Sequence, residues 1–155
     1  MTRTEHAVTI ERPLQEVWDY LMDTRNDAVW ITNVVEVGRG GDLEPAPGVE
    51  IEETLKFLGV KVPVTLTVTE HEPPMRSAVD VSGPVQGRGS YRLEPFDGGT
   101  RVTMTMETDA HGFFKLAEAV FVRMARRDMA TSCGHLKDIL EANGTGRNDS
   151  RTDGP

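Results

Sequence analysis

The 155-residue sequence has a single cysteine, Cys133. This excludes an intramolecular disulfide and any metal site built from cysteines. The four histidines, His6, His71, His111 and His135, never fall at metal-ligand spacing. No metal and no other cofactor is expected. Positive charge is scarce as well: 17 Lys and Arg stand against 25 Asp and Glu, a net charge of −8. Such a surface repels polyanions, so nucleic acid is not an expected partner. No stretch approaches the roughly 18 uncharged apolar residues of a membrane span. The first residues carry Arg3, Glu5, Glu11 and Arg12 rather than the apolar run of a secretory signal, and a cytoplasmic location is the resulting expectation.

Familiar catalytic signatures are missing too. Gly87-Arg88-Gly89 lacks the lysine of a phosphate loop and opens no helix, which argues against nucleotide binding. There is no Gly-x-Ser-x-Gly elbow, and Cys133 has no histidine partnered with it in sequence to activate it as a nucleophile. Arg123, Arg126 and Arg127, and the acidic stretch 36–53, read as solvated faces, with a role in protein interaction as a lesser reading.

What is present is enough for one ordinary domain. Hydrophobic residues make up 37%, and a chain of this length buries roughly 70% of its unfolded surface without covalent staples. Alternation of His6, Val8 and Ile10 with Glu5, Ala7 and Thr9 predicts a strand over 3–11. Pro13 then suits the first turn of a helix whose apolar stripe is Leu14, Val17, Trp18 and Leu21. A second short helix over 26–31 carries Trp30. Period two returns with Val35 and Val37, and again with Ile51, Leu55 and Phe57. The cleanest strand is Val60, Val62, Val64, Leu66 and Val68, where Pro63 argues for an edge or a bulge. Met75, Ser77, Val79 and Val81 form another strand, then Tyr91 and Leu93, then, beyond the hairpin turn Asp97-Gly98-Gly99, Val102, Met104 and Met106. His71 is expected to face outward with Thr69.

A long amphipathic helix is predicted over 112–142, with Phe113, Leu116, Val120, Phe121, Met124, Leu136, Ile139 and Leu140 at three- and four-residue steps. Gly134 weakens it by about 1 kcal/mol relative to Ala. Residues 143–155 are polar and aperiodic and read as a disordered tail. The expected class is α+β: a seven-stranded curved antiparallel sheet wrapped around a long C-terminal helix, two short helices following strand 1. That domain is 1–142. A sheet curved around one helix leaves a cavity between them, lined by the apolar strand face.

At this point the sequence resembles a known family. Ile10-Glu11-Arg12-Pro13 runs into Val17-Trp18-Asp19-Tyr20-Leu21-Met22-Asp23 and Trp30. Val68-Thr69-Glu70-His71-Glu72-Pro73-Pro74 and Gly87-Arg88-Gly89-Ser90-Tyr91-Arg92-Leu93-Glu94-Pro95 follow. Gly98-Gly99-Thr100-Arg101-Val102-Thr103 and Leu136-Lys137-Asp138-Ile139-Leu140-Glu141 complete the likeness. Over about 5–142 the chain resembles the START-like, or SRPBCC, superfamily, and within it the polyketide cyclase/dehydrase group. The resemblance implies the helix-grip fold shared with the major birch pollen allergen. It carries no universal catalytic motif: members include lipid carriers, ligand sensors and aromatase/cyclases, so fold alone does not choose among them.

Two residues stand out chemically. Glu53 lies between Ile51 and Leu55 on the face that lines the cavity, where an ionised carboxylate is costly unless paired and its pKa is driven up. Such a group can serve as a general acid or base; the plain reading is a bulged strand that returns it to solvent. Tyr91 is a candidate donor to a ligand carbonyl, or simply a large core side chain. The candidate walls are Trp30, Ile51, Leu55, Phe57, Leu66, Met75, Val79, Leu93, Met104, Met106, Phe113, Val120 and Met124, with methionine suited to irregular apolar guests. Two functions follow. One is binding of a small hydrophobic molecule, lipid-like or polyketide-like, by a monomer or homodimer. The other is a polyketide cyclase or dehydratase with Glu53 as base and Tyr91 polarising a carbonyl.

Overall fold

A computed structural model describes residues 2–109 and 118–152. The chain opens with β1 (Thr2–Ile10), α1 (Leu14–Met22), a 3-10 turn (Thr24–Asn26) and α2 (Asp27–Trp30). Six strands follow: β2 (Val34–Val37), β3 (Glu50–Phe57), β4 (Val60–Glu72), β5 (Arg76–Ser82), β6 (Gln86–Phe96) and β7 (Gly99–Asp109). The last described element is α3 (Glu118–Thr152). Pro13 is the N-cap of α1, one residue before the first-turn position expected, and its carbonyl accepts the Val17 N–H.

The seven strands form one sheet in the order β1-β7-β6-β5-β4-β3-β2, every pair antiparallel. From β2 to β7 each strand pairs with the next in sequence, whereas β1 crosses to β7 with Thr2 opposite Thr108. The β6–β7 turn places both Asp97 and Gly98 at positive φ, the type I′ geometry that matches strand twist. Gly87 lets β6 approach β7: a Cβ there would meet the Glu107 carbonyl oxygen at 2.1 Å. Two bulges bend the sheet, in β2 against β3 and in β4 against β5 between Val68 and Glu70.

The second bulge corrects the expectation for His71. Thr69 is the extra residue, so Glu70 turns outward and His71 turns inward opposite Ser77. There its ring packs on Trp18 with centroids 5.4 Å apart. Pro63 sits in β4, which is flanked by β3 and β5, yet β4–β5 pairing begins only at Thr65. Pro63 therefore occupies a locally free margin of an interior strand, where its missing N–H costs no ladder bond.

The concave face carries two apolar clusters. The larger joins Ile10, Leu93 and Val102 of the sheet to Val17, Trp18 and Leu21 of α1, Trp30 of α2, and Met129, Cys133, Leu136 and Leu140 of α3. The smaller comprises Phe57, Val62, Val64 and Val85. Polar ties fix α3: Lys137 Nζ donates to the Thr9 carbonyl at 2.7 Å, Glu141 Oε1 accepts from the Glu11 N–H at 3.1 Å, and Ser132 Oγ accepts from the Thr32 N–H at 3.0 Å. The architecture is the helix-grip fold. The helix runs to Thr152, ten residues beyond the end read at Ala142. Residues 143–152 contain no proline, so nothing in their covalent structure forbids continued helical hydrogen bonding.

Candidate functional site

Between the two clusters lies a cavity of about 180 Å³. Leu21 and Met22 of α1 close one side and Met129 of α3 another. The sheet supplies Ile51, Leu55 and Phe57 from β3, Leu66 and Val68 from β4, Val79 and Val81 from β5, Tyr91 from β6, and Met104 and Met106 from β7. The walls are predominantly apolar because inward positions of each strand recur at every second residue. Into this surface project Asp27, Glu53, Ser77, Asp128 and Ser132.

Glu53 pairs with Val64 of β4 and Val37 of β2, so its inward direction is set by the same alternation that buries Ile51. It is 5% exposed. Asp27, the first residue of α2, is 7% exposed and meets it from the opposite wall. The two carboxyls are within hydrogen-bonding reach of each other, a contact that requires one to carry a proton. Burial drives Asp27 well above the usual carboxylate range, and the Glu53 charge adds to the rise. Burial raises Glu53 as well, while the hydrogen bond from Asp27 pulls it back. Both carboxyls are thus pushed toward the protonated form, and one proton is held by the pair. Glu53 Oε1 receives no N–H or hydroxyl donor from the described residues. The Trp30 indole N–H lies toward Asp27 and partly offsets its rise, but falls short of hydrogen-bond geometry.

Tyr91 faces the same space. Burial lifts its phenol well above its ordinary value of 10.0, with Asp27 and Glu53 adding to the effect, so it stays a neutral donor. Asp128 reaches the cavity from α3 and is raised by burial. Ser77 Oγ lies 3.2 Å from His71 Nδ1 and also donates to the Glu70 carbonyl. Cys133 is buried and its thiol is pushed up to about 11, which leaves it inert. Among the described residues no group of His, Cys, Asp and Glu is arranged to hold a metal ion.

Of the residues singled out in the sequence, Glu53, Tyr91, Ile51, Leu55, Phe57, Leu66, Val79, Met104 and Met106 line this cavity. Others do not. Trp30 and Leu93 are packed in the larger cluster behind the wall, Trp30 standing 6.1 Å from the Tyr91 ring. Met75 is 47% exposed because it belongs to the β4–β5 turn, donating its N–H to the Glu72 carbonyl. Val120 is 57% exposed. It stands nine residues before the buried Met129, two and a half turns away and so on the opposite side of α3. Met124 is half-buried and is not among the residues that line the cavity. Phe113 lies outside the described residues. Asp27 was the residue sequence reasoning passed over, although its position three before Trp30 put it on that residue's helix face.

Fold and site together define a helix-grip domain with an apolar cavity whose charged lining residues, among those described, are acids. The chain belongs to the family described as polyketide cyclase / dehydrase and lipid transport, whose profile matches residues 1–141. No curated protein matches the sequence. Solved structures share the fold at low identity. TTHA0849 from Thermus thermophilus superposes with a TM-score of 0.78 at 14% identity, covering 92% of this chain and 99% of that one. The Zhui aromatase/cyclase from Streptomyces sp. R1128 gives 0.68 at 20%, covering 90% and 93%. The Aha1 dimer from Colwellia psychrerythraea gives 0.66 at 19%, covering 91% and 97%. No helix among the described residues is long and apolar enough to cross a membrane.

Proposed function

We propose that the domain binds one small hydrophobic molecule in the cavity between sheet and α3. The observation that carries this is the cavity itself: about 180 Å³ of apolar-walled space crossed by a few convergent polar groups, the usual constitution of a small-molecule site. An apolar cavity of about 150 Å³ accepts benzene, so the space suits a guest of single-ring size. Lipid transport and polyketide chemistry, both in the family's description, are compatible with such a guest. Titration of the folded protein with a library of small lipids and aromatic polyketide fragments, followed by NMR, is expected to yield saturable shifts at Met104, Met106 and Val79. Val79→Phe, which fills the space, should abolish them while the protein stays folded. Absence of saturable binding across the library overturns the proposal.

The Asp27–Glu53 pair favours a second reading, a cyclase or dehydratase, which the fold shared with the Zhui aromatase/cyclase accommodates. In a dehydration Glu53 would take the proton α to a carbonyl while Tyr91 hydrogen-bonds the carbonyl oxygen. Asp27 would hand its proton to the departing β-hydroxyl, which leaves as water as the double bond forms. Incubation with β-hydroxy-carbonyl compounds should then give a mass loss of about 18 daltons, as water is expelled, and Glu53→Gln should abolish it while binding persists. Turnover unchanged in that variant removes Glu53 from the role.

A further inference from the structure

We propose that the cavity selects a small hydrophobic ammonium ion, anchored by the Asp27–Glu53 carboxyl pair with the Tyr91 ring beside it. This rests on the reading that the cavity holds a ligand, and it names that ligand's charge. Every charged residue lining the cavity among the described residues is an acid: Asp27, Glu53 and Asp128. A guest carboxylate would be enclosed beside like charge in a medium that screens poorly. A neutral apolar guest would fill the space and leave Glu53 Oε1, enclosed and without an N–H or hydroxyl donor from the described residues, still wanting one.

An ammonium answers both conditions. Its N–H groups supply donors to Oε1 and to the Asp27 carboxyl, and the proton the two acids share passes to solvent. The net charge of the site is unchanged, since a bound cation replaces a bound proton. Tyr91 lines the same cavity, and an aromatic ring attracts a desolvated cation. No described element brings a competing cation to the pair. α2 and the preceding turn bring Asp23, whose carboxylate is already bound to Arg25 at 2.9 Å, and the Trp30 indole. α1 brings the neutral Tyr20 phenol, and α3 brings Asp128 and the neutral Cys133 thiol.

The test is a calorimetric titration of the natural protein near neutral pH with three ring compounds of one size: benzylamine, benzyl alcohol and benzoate. Benzylamine should bind at least about ten-fold tighter than benzyl alcohol, with benzoate giving no saturable signal. The heat of benzylamine binding should vary with the buffer's ionisation enthalpy, reporting the released proton. Glu53→Gln and, separately, Asp27→Asn should lower benzylamine's affinity to that of benzyl alcohol, thermal melts establishing that each variant is folded. Equal or tighter binding of benzyl alcohol or benzoate overturns the inference and leaves the cavity reading standing. So does an amine preference that survives in both folded variants. If none of the three binds, the inference falls, and the cavity reading falls with it only if the wider library is also silent.

Discussion

Asp27 and Glu53 are the most deeply buried of the acids whose cost to the fold depends on pH. The folded state raises the carboxyl pKa of both, so between the unfolded and folded values the native protein holds protons that the unfolded chain has lost. Stability therefore falls as pH rises through that window, which opens at the ordinary carboxylate range. Asp23, Glu70 and Glu141 are lowered by their basic partners and act oppositely, losing their contribution as pH falls. They are largely solvated, contribute little, and cancel in a comparison of variants. Asp27→Asn should melt several degrees above the natural protein near pH 8 and lose that advantage near pH 4; a pH-independent difference would contradict the buried acid pair. Glu53 was visible in the sequence because strand alternation names its face. Asp27 was not, because its partner is 26 residues away and only the packing of α2 against β2, the neighbour of β3 in the sheet, brings the acids together.

At the scale of elements, α3 sets how much of the concave face is filled. Leu136 is fully buried at the seam, and Leu136→Ala should cost about 2–5 kcal/mol, whereas Val120→Ala on the solvent side should stay within about 0.5 kcal/mol. Gly134 has no neighbour within 4 Å of where a Cβ would stand, so Gly134→Ala should raise stability by about 1 kcal/mol. Urea denaturation measures all three; a destabilising Gly134→Ala would mean that the helix needs its glycine. Element order and strand faces could be read from period and turn residues, down to the Asp97-Gly98 hairpin. The exceptions, His71 and Met75, flank one bulge and one turn, where a single added residue or the end of pairing breaks the period of two.

For the whole molecule, the curvature that opens the cavity comes from bulges and glycines acting on the sheet as a unit, and the polar ties at Lys137, Glu141 and Ser132 hold α3 across it. Beyond Ala142 the sequence offers no large apolar side chain, so a chain ending at 142 is expected to keep the melting temperature of the full chain; a loss of several degrees would assign 143–155 a packing role. Polarity places a boundary at 142 in the sequence, while the helix itself continues to Thr152.

Thr2 faces Thr108 across the sheet, which has a consequence during synthesis. At about 5–20 residues per second a ribosome needs roughly 5–20 s to make the intervening chain. For that interval the first strand has no partner, because its one neighbour in the finished sheet, β7, has not yet left the tunnel. The alternating Arg3 and Glu5 along that segment then act as its guard against pairing with another nascent chain.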